Sequence, residues 1–165
     1  MSHAQPKILL PLAEIQAVEE TCVAHPLNPK SEVYIKQLGL EAGLKRTGLS
    51  LARIPPGKES FLYHSHHVEE EFVYVLSGRG RAEIDGRMYE VGPGDFMGFP
   101  APGAAHHLIN PYDVDLVYLM GGERQPFEIA DFPTVGKTMV RHEMDMRMVD
   151  TATMKKVSIE DFVKR

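Results

Sequence analysis

From Gly48 to Gly122 the chain is cut into short runs, alternating or apolar, each closed by glycine or proline, and this punctuation narrows the folds open to it. Leu49 to Ile54 (LSLARI) alternates and stops at Pro55-Pro56-Gly57, Glu59 to His66 follows, and Glu71 to Leu76 (EFVYVL) stops at Ser77-Gly78. Arg81 to Asp85, Arg87 to Val91 and Phe96 to Phe99 end at Gly86, Gly92-Pro93-Gly94 and Pro100. His106 to Asn110 and Val114 to Met120 complete eight such runs before Gly121-Gly122. Short strands with turn signals every 8 to 12 residues or so predict an all-β barrel or sandwich and argue against alternating strand and helix units. Phe72 to Leu76 is apolar at both parities, the pattern of a strand covered on both faces.

The flanks are less regular. Residues 1–48 read as an arm that packs on the barrel or on a partner subunit. In Pro11 to Cys22 (PLAEIQAVEETC), Leu12, Ile15, Val18 and Cys22 recur at three and four residue steps, compatible with a short helix or an edge strand. His25 to Lys30 (HPLNPK) then breaks any helix, because each proline biases its predecessor out of the helical region. Residues 49–122 form the core and 123–165 a C-terminal extension, where Pro126, Pro133 and Gly136 discourage a long helix before Lys137. Met139, Met144, Met146, Met148 and Met154 read as gap-filling core or interface. Ser158, ahead of Glu160 and Asp161, carries a helix-start signature.

A chain of 165 residues suits one domain with arms. Its 18 Lys+Arg against 23 Asp+Glu leave a formal charge of -5, so neither nucleic acid nor an anionic membrane is an expected partner. No apolar run approaches the roughly 18 residues of a membrane helix, and Met1 to Pro11 lacks the charged start, apolar stretch and cleavage site of an export leader. The single cysteine, Cys22, has no internal disulfide partner and no C-x-x-C motif, which fits a reducing cytoplasm.

Five of the 8 histidines fall in two clusters, His64, His66, His67 and His106, His107. Alternate residues on a strand face one side about 6.6 Å apart, so His64 and His66 can converge on one ion with N to metal distances of about 2.1 Å. After the polar stretch His67 to Glu70, Glu71 opens an apolar strand. If that strand pairs antiparallel with the histidine strand, its first carboxylate returns to the same place and is the third candidate ligand. Glu70 takes that role if the strand begins one residue earlier. The face of Glu71 continues through Val73 and Val75, leaving Phe72, Tyr74 and Leu76 to pack against another layer. In the second cluster parity puts His106, Leu108 and Asn110 on one face and His107 and Ile109 on the other, so His106 is the fourth candidate. Three imidazoles and a carboxylate leave one or two positions of a divalent ion open, as a catalytic site requires.

These stretches resemble the two motifs of the cupin family. Gly57 to Gly78 (GKESFLYHSHHVEEEFVYVLSG) has the glycine, H-x-H at His64 and His66, four intervening residues, Glu71, and a glycine at Gly78. Gly94 to Asn110 (GDFMGFPAPGAAHHLIN) supplies Gly94, Pro100, Gly103, His106 and Asn110, departing from the motif only in having two residues between Pro100 and Gly103. The resemblance implies a double-stranded β-helix, a jelly-roll-like barrel with N-terminal and C-terminal extensions and a metal inside. It also implies a homodimer whose N-terminal strands pack across subunits. The Pro55-Pro56-Gly57 lead-in and the Ala105 to Asn110 stretch are similar to small bacterial cupins that carry a sugar-phosphate-isomerase designation.

The expected ligands are therefore His64, His66, Glu71 and His106 around one divalent transition metal, with Fe, Mn, Ni, Zn and Co equally compatible. His67 and His107 read as structural, or as outer partners of the ligands. Glu69 and Glu70 read as a solvated turn, Tyr63 and Tyr118 as core, and Arg53 as a strand residue of undecided facing. Three functions follow: an isomerase-type proton transfer on a sugar or sugar phosphate, an Fe(II)-dependent dioxygenase of a small metabolite, or a non-catalytic small-molecule sensor. No residue stands out as the base that moves the proton.

Overall fold

In this computed structural model residues 7–163 are described, so the reading of Met1 to Pro11 falls mostly outside them. Helix α1 (Leu12–Ala17) ends where Val18 turns extended and leads into strand β1 (Thr21–Val23), so both elements left open for this stretch are present. Strands β2 (Val33–Lys36) and β3 (Thr47–Ile54) follow, with helix α2 (Leu38–Glu41) between them. Then come β4 (Ser65–His66), β5 (Glu71–Ser77), β6 (Gly80–Ile84), β7 (Arg87–Val91), β8 (Phe96–Phe99), β9 (His106–Ile109) and β10 (Leu116–Glu123). The extension adds β11 (Phe127–Phe132), β12 (Lys137–His142) and β13 (Asp145–Asp150).

All named strand pairs are antiparallel. One sheet runs β1-β2-β3-β10-β5-β8, a second β13-β12-β11-β4 and a third β7-β6-β9. The molecule is mostly β, as the turn spacing predicts, and its sheets are consistent with the jelly-roll fold that the cupin resemblance implies. Its main core gathers Val33, Ile54, Val75, Phe99, Leu116 and Tyr118 among others. Leu62, Ala130 and Phe132 make a smaller cluster under the extension.

Several expectations need correction. The run Glu59 to His66 is not one strand: Glu59 bridges Ile109, and the chain regains regular pairing only at His64. At Ser60 the hydroxyl accepts the Leu108 N–H at 2.8 Å while the Ser60 N–H donates to Leu108 O, a side-chain bond that competes with a plain ladder. The histidine strand does not pair with the Glu71 strand, because β10 and β8 occupy the two edges of β5. It pairs with β11 instead, through Ala130↔His66 and Asp131↔Ser65. The extension is thus regular β structure, with Pro126 and Pro133 flanking β11 rather than disrupting it.

The outer face of β5 has no covering layer among the described residues. Tyr74 and Leu76 stay 40% and 41% exposed, and Phe72 stacks on Phe96, itself 65% exposed. Met144, Met146, Met148 and Met154 are exposed and fill no core; Met139 packs on the smaller cluster. Arg53 faces outward, held by Glu20 and Asp115 and lying over the Tyr34 ring. Ser158 caps a terminal 3-10 turn over Ile159–Phe162 through a capping box with Asp161.

Candidate metal centre

His64 and His106 lie directly across from each other, joined by two backbone hydrogen bonds of 3.2 and 2.7 Å. This pairing sets both imidazoles on one side, with ring centroids 4.9 Å apart, and His66 joins them at 4.8 Å from His64. Phe99 stacks on His106 at 3.6 Å and Phe132 on His64 at 5.9 Å, which limits rotation of both rings. His64 Nδ1 sits 2.6 Å from Leu62 O and His106 Nδ1 3.2 Å from Ala104 O. Only an N–H satisfies a carbonyl, so these contacts assign the proton to Nδ1 and leave Nε2 with a free lone pair.

Glu71 arrives from β5, opposite Phe99 and Gly122. Its Oε2 is 3.2 Å from His66 Nε2 and 3.4 Å from His106 Nε2. An added Cβ at Gly122 would meet Glu71 Cγ at 3.0 Å and Glu70 O at 2.7 Å, so the close approach of the two strands here requires glycine. One ligand atom from each of His64, His66, Glu71 and His106 lies within 4.8 Å of the others. Both ring nitrogens of His66 are buried without a hydrogen-bond partner, since the short contact to Glu71 lacks hydrogen-bond alignment.

The electrostatics agree. Burial disfavours the Glu71 carboxylate, but the neighbouring His106 and His66 rings outweigh it and hold the pKa far below the ordinary carboxylate range. Burial, then the like charges of His106 and His66, push His64 down to about 4. Burial also opposes charge on His66, but contact with Glu71 prevails and raises it. Glu71 thus keeps its negative charge among imidazoles, and His64 stays neutral with a free Nε2, a donor set compatible with a first-row divalent metal.

The cluster opens into a cavity of about 300 Å³ whose lining includes Ser50, Phe72, Val73, Phe99, Tyr118 and Met120. His107 lies on the other parity, near Tyr63 and 3.7 Å from Glu83, and burial lowers its pKa. His67 is exposed and bonded to Asp131. Glu70 is exposed, whereas Glu69 is not solvated as its turn position suggested: it takes Arg141 at 2.7 Å and the Gln125 N–H at 2.6 Å. Asn110 is buried and ties the loops together, donating to Ile54 O and Val114 O. Where two residues separate Pro100 from Gly103, the chain folds so tightly that a Cβ at Gly103 would lie 1.9 Å from Pro100 O.

Sequence reasoning missed Glu128. It is 1% exposed, and its carboxylate accepts the N–H groups of His67, Val68, Glu69 and Ile129 at 2.5 to 3.2 Å. It therefore pins the turn between His66 and Glu71. The available signal was a glutamate on the inward parity of FEIADF, whose Glu128, Ala130 and Phe132 are all buried. His66, Glu69 and Glu128 also form a compact group. Both of those carboxylates are already committed, Glu69 to Arg141 and Glu128 to backbone N–H groups, so the group lacks the free donors of the first cluster.

A crystal structure of a candidate sugar phosphate isomerase from Acidithiobacillus ferrooxidans is 39% identical, covers 92% of this chain and 97% of its own, and superposes with a TM-score of 0.89. The chain belongs to the cupin superfamily. The cupin-domain profile matches residues 50–122. A sugar phosphate isomerase from a cupin superfamily, from Silicibacter pomeroyi, is 25% identical over 94% of this chain and 98% of that one, with a TM-score of 0.77. An uncharacterized protein of Methanocaldococcus jannaschii is 36% identical over 77 residues, 47% of this cupin, and the match spans 59% of that relative's length. No helix among the described residues is long and apolar enough to cross a membrane.

Proposed function

We propose that this cupin is a metal-dependent enzyme of isomerase type, moving a proton on a sugar or sugar phosphate, with His64, His66, Glu71 and His106 as ligands of one divalent transition metal. The observation that carries the reading is the convergence of those four donor groups beside a cavity of about 300 Å³, large enough for a small polar metabolite and lined by three of them, His64, Glu71 and His106. The names of the two relatives aligned over nearly their whole lengths support the same substrate class. A bound divalent metal supplies Lewis acidity, which polarises a carbonyl and acidifies the neighbouring C–H. Around it the chain contributes shape and polarity: Val73 and Phe99 exclude water from the reacting carbon, and Ser50 offers a hydroxyl for orientation. Residues 1–48 supply β2 and Ile35 to one wall, and 123–165 supply the strand beside His66, so both flanks of the 49–122 core belong to the working unit.

Elemental analysis of protein purified without an affinity tag is expected to find about one first-row metal per chain. His106→Ala loses it and His107→Ala retains it; retention by both removes the ligand assignment. Turnover of candidate aldoses and ketoses in deuterated water is expected to place solvent deuterium in the product. Oxygen uptake with Fe(II) and no deuterium exchange would favour the dioxygenase instead. The exposed Phe96, Tyr74 and Leu76 support a homodimer, for which sedimentation should give twice the 18.5 kDa chain mass.

A further inference from the structure

The mouth of the cavity carries a chemistry different from its floor. Strand β10 turns Leu116 and Tyr118 inward, and alternate residues of a strand share a face. The same row runs on through Met120 and Gly122 to Arg124, and each of these lines the cavity. Arg124 stays in the row beyond the end of β10 because its N–H donates to Arg46 O at 2.8 Å. Across the sheet is Gly48, where an added Cβ would lie 3.4 Å from Arg124 Nε, so the arginine stem rests over a position with no side chain to displace it.

Arg124 is the one lysine or arginine in the cavity lining, and its guanidinium has no hydrogen-bond or ion-pair partner among the described residues. Arg53 holds Glu20, Arg81 holds Glu90 and Arg141 holds Glu69, whereas Arg46 and Arg87, without such partners among the described residues, lie outside the cavity lining that includes Arg124. The carboxylate beside it, Glu123, receives the Glu70 N–H and Gln125 Nε2, each at 3.3 Å. Gln37 and Ser50 also line the cavity, Ser50 only 7% exposed, and neither side chain is hydrogen-bonded within the described residues. A planar fork of five N–H donors matches the oxygens of a phosphate or carboxylate better than it matches sugar hydroxyls.

We infer that Arg124 binds the anionic end of the ligand and that Gln37 and Ser50 take its hydroxyls. The site therefore selects polyhydroxylated molecules bearing an oxyanion over their neutral counterparts. This inference rests on the small-molecule reading of the cavity above, and it names the substrate class and the residue that enforces it.

The test is a thermal-shift panel of aldose phosphates, ketose phosphates, sugar acids and the matching neutral sugars, followed by calorimetric titration of the binders. Wild-type protein, Arg124→Gln and Arg124→Lys are compared. Binding is expected only from oxyanion-bearing sugars, weakened about tenfold or more in R124Q and about threefold or less in R124K. The phosphate and carboxylate arms of the panel show which oxyanion is preferred. Neutral sugars binding as tightly, equal affinity in R124Q, or no oxyanion-bearing binder in the panel overturns the inference. Metal content of the same preparations separates the two readings. Arg124-dependent binding by metal-free wild type would sink the metal assignment and leave this one standing, whereas full metal with Arg124-independent binding does the reverse.

Discussion

His66 stands between two carboxylates that chemistry treats differently. On one side Glu71 Oε2 is 3.2 Å from Nε2; on the other, Glu128 Oε2 is 3.9 Å from Nδ1. Glu128 sits in a niche of backbone N–H groups that accommodate its charge where it is. Glu71 accepts no backbone N–H, keeps 38% of its side chain accessible toward the cavity, and meets only imidazoles. A buried carboxylate surrounded by backbone N–H groups is finished structure, whereas one that meets only imidazoles is compatible with exchanging their protons for a cation. The difference lies in the surroundings, since the two side chains are the same.

The largest expected effect comes from removing the finished one. Glu128→Ala strips four backbone N–H groups of an acceptor and is expected to cost about 3–5 kcal/mol of stability, a fall in Tm of about 10 °C. Glu128→Gln keeps one acceptor oxygen and recovers part of the loss. A Tm within about 2 °C of wild type for E128A, by calorimetry, would show that the niche contributes little.

Glu71→Gln reverses the pattern. With metal stripped, it gives up only the contacts with His66 and His106 that favour the carboxylate, so the apo protein is expected to lose some stability but far less than E128A does. Metal affinity, measured by equilibrium dialysis against a first-row divalent ion, is expected to fall about 100-fold. If apo E71Q is destabilised as far as E128A, the two carboxylates play one role and the comparison collapses.

The Glu71 side of this contrast was legible in the sequence and the Glu128 side was not. The candidate ligands His64, His66, Glu71 and His106 are visible because spacing along strands is local: parity within H-x-H and within β9 settles facing without knowledge of the sheet order. The pairing that brings them together was misjudged, since nothing local in β5 reveals that β8 and β10 claim both its edges. Glu128 was missed for a related reason. It acts on His67 to Glu69 across about 60 positions of chain, and its strand looked irregular because prolines bounding a strand and prolines breaking one read alike. Arg124 was invisible for want of a motif; its significance is an absence of partners, which only the assembled cavity displays.

A third carboxylate calibrates both others. Glu20 pairs with Arg53 at 2.6 Å, but each side chain keeps nearly a third of its surface in contact with water. The hydrogen bond to Arg53 holds the Glu20 pKa below its ordinary value of 4.5. A group whose folded pKa is depressed stabilises the fold fully above its unfolded pKa and loses that contribution as pH falls through the folded value. Water screens this pair, so Glu20→Gln is expected to cost only about 0.5 kcal/mol at pH 7, shrinking toward zero below pH 4.5 and in high salt. Urea denaturation of wild type and E20Q at pH 7 and at pH 3.5 or so measures it. A loss as large as that of E128A would mean that a charged partner alone, without enclosure, makes a carboxylate structural. The small loss expected here assigns the strength of Glu128 to its enclosure, and leaves the charge of Glu71 available for a cation.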